Sequence, residues 1–196
     1  GGVSSGSSNS AFGSVALSGN TSGSYNNAFG RAALSSNTTG SNNTGLGYAS
    51  LASNTTASNN TAVGYSALYA NTTGSPNDAF GYNALGNNTT GINNVGVGYT
   101  AGYTNTTGTQ NTAIGSRAMY LNSTGGGITA IGYTALYNNT ASNNTAVGAY
   151  SLQNNTTGTP NDAFGYQALF NNTTGVNNVA VGSTSLTANT PGVQNT

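Results

Sequence analysis

Asn60-Thr61-Ala62-Val63-Gly64-Tyr65-Ser66-Ala67-Leu68-Tyr69-Ala70-Asn71-Thr72-Thr73-Gly74 is the stretch on which the fold turns. Its Gly64 follows a bulky apolar residue, and the same pairing recurs at Gly13, Gly30, Gly47, Gly81, Gly98, Gly115, Gly132, Gly148, Gly165 and Gly182. The interval from Gly13 to Gly30 is kept throughout, except that the step from Gly132 to Gly148 is shorter by one. That step contains Asn139-Thr140-Ala141-Ser142 in place of the usual Asn-Thr-Thr-Gly, with one residue fewer. A fixed period of this size marks a repeat architecture, in which each unit buries its face against the next. A slower duplication lies on top: Ser75-Pro76-Asn77-Asp78-Ala79-Phe80-Gly81-Tyr82 returns five units later as Thr159-Pro160-Asn161-Asp162-Ala163-Phe164-Gly165-Tyr166.

Each unit holds two short extended segments, represented by Asn60–Tyr65 and Ala67–Tyr69, separated by turn chemistry such as Asn71-Thr72-Thr73-Gly74. Helix is disfavoured, because Asn, Thr, Ser and Gly make up about 60% of the chain and are poor helix formers. A 17-residue unit of short strands is the size of one coil of a β-solenoid. The expected fold is therefore all-β, a β-roll or β-helix of about eleven stacked coils. At the inter-strand spacing of ~4.8 Å it would form a rod of roughly 50–55 Å.

Stacking predicts columns of equivalent residues. The slot before the marker glycine is apolar and usually bulky, as in Phe12, Phe29, Leu46, Val63, Phe80, Ile114 and Phe164, and the slot before that is Ala or Gly. Four residues after the glycine stands Leu, as in Leu34, Leu68 and Leu136, with Met119 and Gly102 as variants. The bulky column and the Leu column are the expected core. A third column is polar and without exception: Asn20, Asn37, Asn54, Asn71, Asn88, Asn105, Asn122, Asn139, Asn155, Asn172 and Asn189. A second Asn column precedes the first strand of each unit and is broken only by Ile128. Unbroken Asn columns suit side-chain amide ladders between coils. Turn propensity alone would also place Asn there, but it would tolerate Asp or Gly in the slot.

The tyrosines form a stripe. Tyr48, Tyr65, Tyr82, Tyr99, Tyr133 and Tyr166 follow the marker glycine directly, while Tyr69, Tyr103, Tyr120 and Tyr137 stand four residues further on. Such a stripe could pack between chains, stack on sugar rings or cover the rod.

Composition excludes much chemistry. The charged set is Arg31, Arg117, Asp78 and Asp162, with no Lys, Glu, His or Cys. General acid–base catalysis, metal cages and thiol nucleophiles need residue types that are missing or isolated here, so no catalytic residue, metal ligand or cofactor site is expected. Two cations cannot neutralise a nucleic-acid backbone. No apolar run approaches the ~20 residues of a membrane span, and no stretch reads as a signal peptide. Gly125-Gly126-Gly127 lacks the Lys and the strand-to-helix setting of a phosphate loop and reads as a turn. Calcium-binding rolls need acidic turns, and these are Asn-Thr-Thr-Gly. Asn-x-Ser/Thr sequons are plentiful, but an inward Asn column would be closed to glycans. The adjoining Thr38, Thr55, Thr72 and Thr106 would remain as sites for O-glycans. Regular Thr columns also raise an ice-binding reading, against which stands their place in turns.

Asn60–Leu68 and Asn111-Thr112-Ala113-Ile114-Gly115 resemble the head repeats of YadA-like trimeric autotransporter adhesins. In that family a short strand of Ser-x-Ala-Ile-Gly type marks each coil of a left-handed β-roll, and the resemblance implies packing of three rolls into a trimer. The whole unit from Gly64 to Gly74 is closer to the Asn/Thr-rich repeats of bacterial and phage tail-fibre-like proteins, which often carry an endosialidase-type chaperone domain. The 17-residue unit is longer than the adhesin coil.

Together these features predict one domain, residues 1–196, uncapped at both ends: Val3-Ser4-Ser5-Gly6 fills turn slots and Asn195-Thr196 opens a new strand. The expected role is structural, as a shaft segment or polymerising unit of an extracellular fibre, with copies of itself as partner. A glycan- or receptor-binding adhesin is the alternative. A neutral, Lys-free surface would offer few sites to proteases, and trypsin only Arg31 and Arg117.

Overall fold

A computed structural model describes residues 5–190 and 192–195. Val3, Ser4 and Thr196, assigned above to turn slots and to a new strand, lie outside the described residues. Eleven strands of three or four residues run from β1 (Ser10–Phe12) to β11 (Asn178–Val181) and pair in chain order in one parallel sheet. The register is set by the repeat: Ala28 stands opposite Gly45, Gly45 opposite Ala62, and Ala62 opposite Ala79. At the short step Ala130 stands opposite Ala146, so the lost residue is absorbed in the turn and the ladder continues unbroken. The chain is a β-solenoid with one strand per coil.

The second extended segment expected in each unit is not a strand. In the arm that follows Gly64, Ser66 and Leu68 take left-handed φ values of 52° and 49°. Left-handed backbone costs roughly 1–2 kcal/mol per non-glycine residue, yet it recurs at the same two slots along the rod. The alternation aims the N–H groups of these two slots along the axis in opposite directions, while Ala67 N between them donates to Gly64 O within the coil. Ser66 N donates to Tyr48 O of the preceding coil at 2.8 Å, and Leu68 N donates to Ala84 O of the following coil at 3.0 Å. The arm thus bonds its backbone to both neighbouring coils, as a sheet would. At the marker glycine φ is 135°, and a Cβ there would overlap the Gly81 carbonyl of the next coil, so both conformation and space demand glycine.

The core differs from the expected one. The bulky column before the marker glycine faces outward, with Phe29 42% and Leu46 48% exposed, while Ala28, Ala62, Ala79 and Ala113 beside it are fully buried. Strand side chains alternate between faces, so only one of the two columns can point in. The lumen selects the small one. Leu34, Leu51, Leu68 and Leu85 project into it from the opposite arm, and a Cβ on Gly96 would already stand 2.8 Å from Leu85 Cγ. The interior is therefore Leu against Ala. It divides into two clusters, one ending at Leu85 and the other starting at Ala101. Between them lie Gly96 and Gly102. Leu85 and Met119 lean into the space from the two sides, and a Cβ on Gly102 would meet them at 2.7 and 3.4 Å.

Candidate functional site

Two surfaces carry the chain's specific chemistry: an inner wall of asparagines and an outer face of tyrosines. The asparagine wall is a pair of ladders. In the first, Asn54 Nδ2 donates to Asn37 Oδ1 at 2.8 Å, Asn71 to Asn54 at 3.0 Å, Asn88 to Asn71 at 2.9 Å, Asn105 to Asn88 at 3.0 Å and Asn122 to Asn105 at 3.0 Å. The second proton of each Nδ2 goes to the carbonyl three residues on, as from Asn71 to Gly74 O at 3.0 Å. In the second ladder, Asn26 Oδ1 accepts from both the backbone N and the Nδ2 of Asn43. In most coils the two ladders meet on one acceptor: Asn43 and Asn54 both donate to Ala57 O, and Asn77 and Asn88 both donate to Gly91 O. A primary amide has two donors and two lone pairs. Asp lacks the donors and Gly has no side chain, which explains a column that admits only Asn. The Asn residues of both ladders between Asn26 and Asn178 are buried, apart from the substituted rung at Ile128.

The exception is informative. Ile128 replaces the second-ladder Asn in the same coil whose turn lost a residue. Asn139 Nδ2 donates instead to Ala141 O at 2.6 Å, only two residues on. The shortened turn moves the acceptor that two amides share elsewhere, and an apolar side chain stands where a second amide would lose that carbonyl. The rails close around the gap: Asn144 Nδ2 donates to Asn139 Oδ1, and Asn155 donates to the same oxygen.

The sequons of Asn37, Asn54, Asn71 and Asn105 present buried amides. Thr38, Thr55, Thr72 and Thr106 are half-buried, and their hydroxyls donate along the axis, Thr38 Oγ1 to Thr55 O at 2.9 Å and Thr106 Oγ1 to Ser123 O at 3.0 Å. An O-glycan there would cost that bond. The next Thr of each turn (Thr39, Thr56, Thr73, Thr90) is the exposed one.

On the outer face, Tyr48, Tyr65, Tyr82 and Tyr99 stack with centroids 4.9, 5.2 and 5.2 Å apart and planes within 10°. Arg31 caps the stack, 5.6 Å from the Tyr48 ring. Ser116 ends it. Tyr133 and Tyr166 belong to a separate group, joined edge-on through Tyr150. A second ladder, Tyr103, Tyr120 and Tyr137, stacks at 5.6 and 5.1 Å. Between the two ladders, at Gly86, lies a notch of about 390 Å³. The sequence signal for it was one glycine within a run of tyrosines in the fifth slot after the marker.

Among the described residues no helix is long and apolar enough to cross a membrane. No family model, curated protein or solved structure matches the chain.

Proposed function

We propose that the chain is a non-catalytic structural segment of an extracellular fibre, built to associate side by side with copies of itself. The observation that carries this reading is the outward column from Phe12 to Val181. It places an apolar residue on every rung of the sheet, and none of these side chains belongs to either core cluster. Phe12, Phe29, Leu46, Phe80, Ile114, Phe164 and Val181 of this column are exposed large apolar residues, the kind of surface that interfaces bury. A column with one rung per coil is matched along its length by a partner of the same pitch, and a second copy has that pitch by construction. The column runs without a gap, whereas the tyrosine slots are interrupted at Gly86 and Ser116, so we assign the contact to the column. The resemblance to trimeric adhesin heads and tail fibres, and the Lys-free surface, point the same way and to the outside of a cell.

Sedimentation and electron microscopy of the native chain test the proposal. Oligomers with parallel chains in cross-section are expected, and replacing Val63, Val97 and Ile131 by Ser should dissociate them without unfolding the coil. A monodisperse monomer at high micromolar concentration would overturn it.

A further inference from the structure

The notch at Gly86 has the make-up of a ligand site. In the fifth slot after the marker glycine, Tyr69, Tyr103, Tyr120 and Tyr137 supply rings, and Gly86 is the one rung without a side chain in that run. Tyr103 leans over the missing rung, its Cε2 3.1 Å from where a Gly86 Cβ would stand, and the notch opens beside it, lined also by Tyr69 and by Tyr65 and Tyr82 of the first ladder. Its volume of about 390 Å³ falls within the range of small-ligand sites, about 300–1,000 Å³.

The polar groups are equally specific. Ser66, Asn83 and Asn87 line the notch, and their side chains meet no hydrogen-bond partner among the described residues. This is not a general property of the slot. In later coils the equivalents of Asn87 bond one another, Asn138 to Asn154 at 3.3 Å and Asn154 to Asn171 at 3.3 Å. Asn87 has Ala70 and Thr104 as its neighbours in the column, so its amide is left for a ligand. Among the described residues no charged one lines the notch. In the duplicated block, five units on, Phe170 fills the slot that Gly86 leaves open.

We propose that this notch binds one ring of a neutral saccharide. A pyranose is a slab of about the thickness of an aromatic rung, with C–H faces for the flanking tyrosines and hydroxyls that both donate and accept. The amides of Asn83 and Asn87 and the Ser66 hydroxyl offer the same dual capacity. A planar aromatic ligand would use the rings but leave the three polar groups unpaired, and a charged ligand would find no counter-charge. The inference stands on the notch and not on the assembly reading; binding and oligomeric state are read separately.

The test titrates maltose, cellobiose, lactose and N,N′-diacetylchitobiose into the native chain, following tyrosine emission, which no Trp overlies, and saturation-transfer NMR. At least one disaccharide should bind saturably. Gly86→Phe should abolish the signal. Gly86 φ is not left-handed, and a Cβ there meets the Asn83 carbonyl oxygen and Tyr103 Cε2, both at 3.1 Å, so the backbone and that ring must each give by a few tenths of an ångström to admit it. Should Gly86→Phe fail to melt cooperatively, Tyr69→Ala decides instead, since it keeps the notch open and removes one stacking face. It should weaken binding about tenfold, and Thr73→Ala on the exposed turn should not change it. Absence of binding by all four sugars, equal binding by a folded Gly86→Phe or by Tyr69→Ala, or binding of phenol alone would overturn the proposal.

Discussion

The asparagine wall and the strand wall of the same coil obey different rules. The first holds Asn on every rung but Ile128 and hides it; the second alternates a buried Ala or Gly with an outward Phe, Val, Leu or Ile. Invariance in this chain follows hydrogen-bond valence, and bulk follows whatever space the opposite wall leaves. Asn is fixed because each amide must donate twice and accept from its neighbour. The outward column is free to be Phe29, Leu46 or Val63 because little in the coil packs against it.

The largest effect should come from breaking the asparagine wall. Asn71→Leu removes the donors to Asn54 Oδ1 and Gly74 O and the acceptor of Asn88. Stranded buried groups cost about 1–3 kcal/mol each, so thermal melting should show a loss of about 3 kcal/mol or more. Next is the lumen. Ala79→Leu forces a large side chain against the Leu column and should cost about 1–3 kcal/mol, whereas Val63→Thr on the same wall should stay within about 0.5 kcal/mol. Equal losses at these two sites would break the assignment of inner and outer columns.

A subtler test restores what the short coil lost. Ile128→Asn alone should destabilise by about 1–3 kcal/mol, since the shortened turn displaces the carbonyl that takes one of the two amide protons in other coils. Inserting Gly between Ala141 and Ser142 should recover most of that loss by returning the shared carbonyl. The smallest effect expected is that of pH. With no His and no Cys, no side chain of a type that ordinarily titrates between about pH 5 and 8 is present, and melting should be flat across that range.

Period, sheet order and the amide columns were legible in the sequence, because stacking forces chemically coupled positions to repeat. Which column faces in was not. A two-residue alternation says that Ala62 and Val63 point to opposite sides, and only the reach of Leu68 and Leu85 across the lumen decides between them. The arm from Ser66 to Leu68 read as a strand for a related reason: its apolar spacing fits one, and left-handed backbone at Leu leaves no mark in composition. The tyrosine stripe was visible as slots. Its division into a four-ring stack, a three-ring stack and an edge-on group depends on Ser116, Gly86 and Tyr150, which are single substitutions within variable columns.

Side-chain amide hydrogen exchange tests the central claim most directly. The Nδ2 protons of Asn54, Asn71 and Asn88 should exchange far more slowly than those of the exposed Asn59 and Asn93, and Asn71→Leu should release Asn88 first, since Asn88 Nδ2 loses its acceptor while Asn54 Nδ2 keeps Asn37 Oδ1 and Ala57 O. Exchange of all five at the rate of a free amide would contradict a coil held together by asparagine ladders.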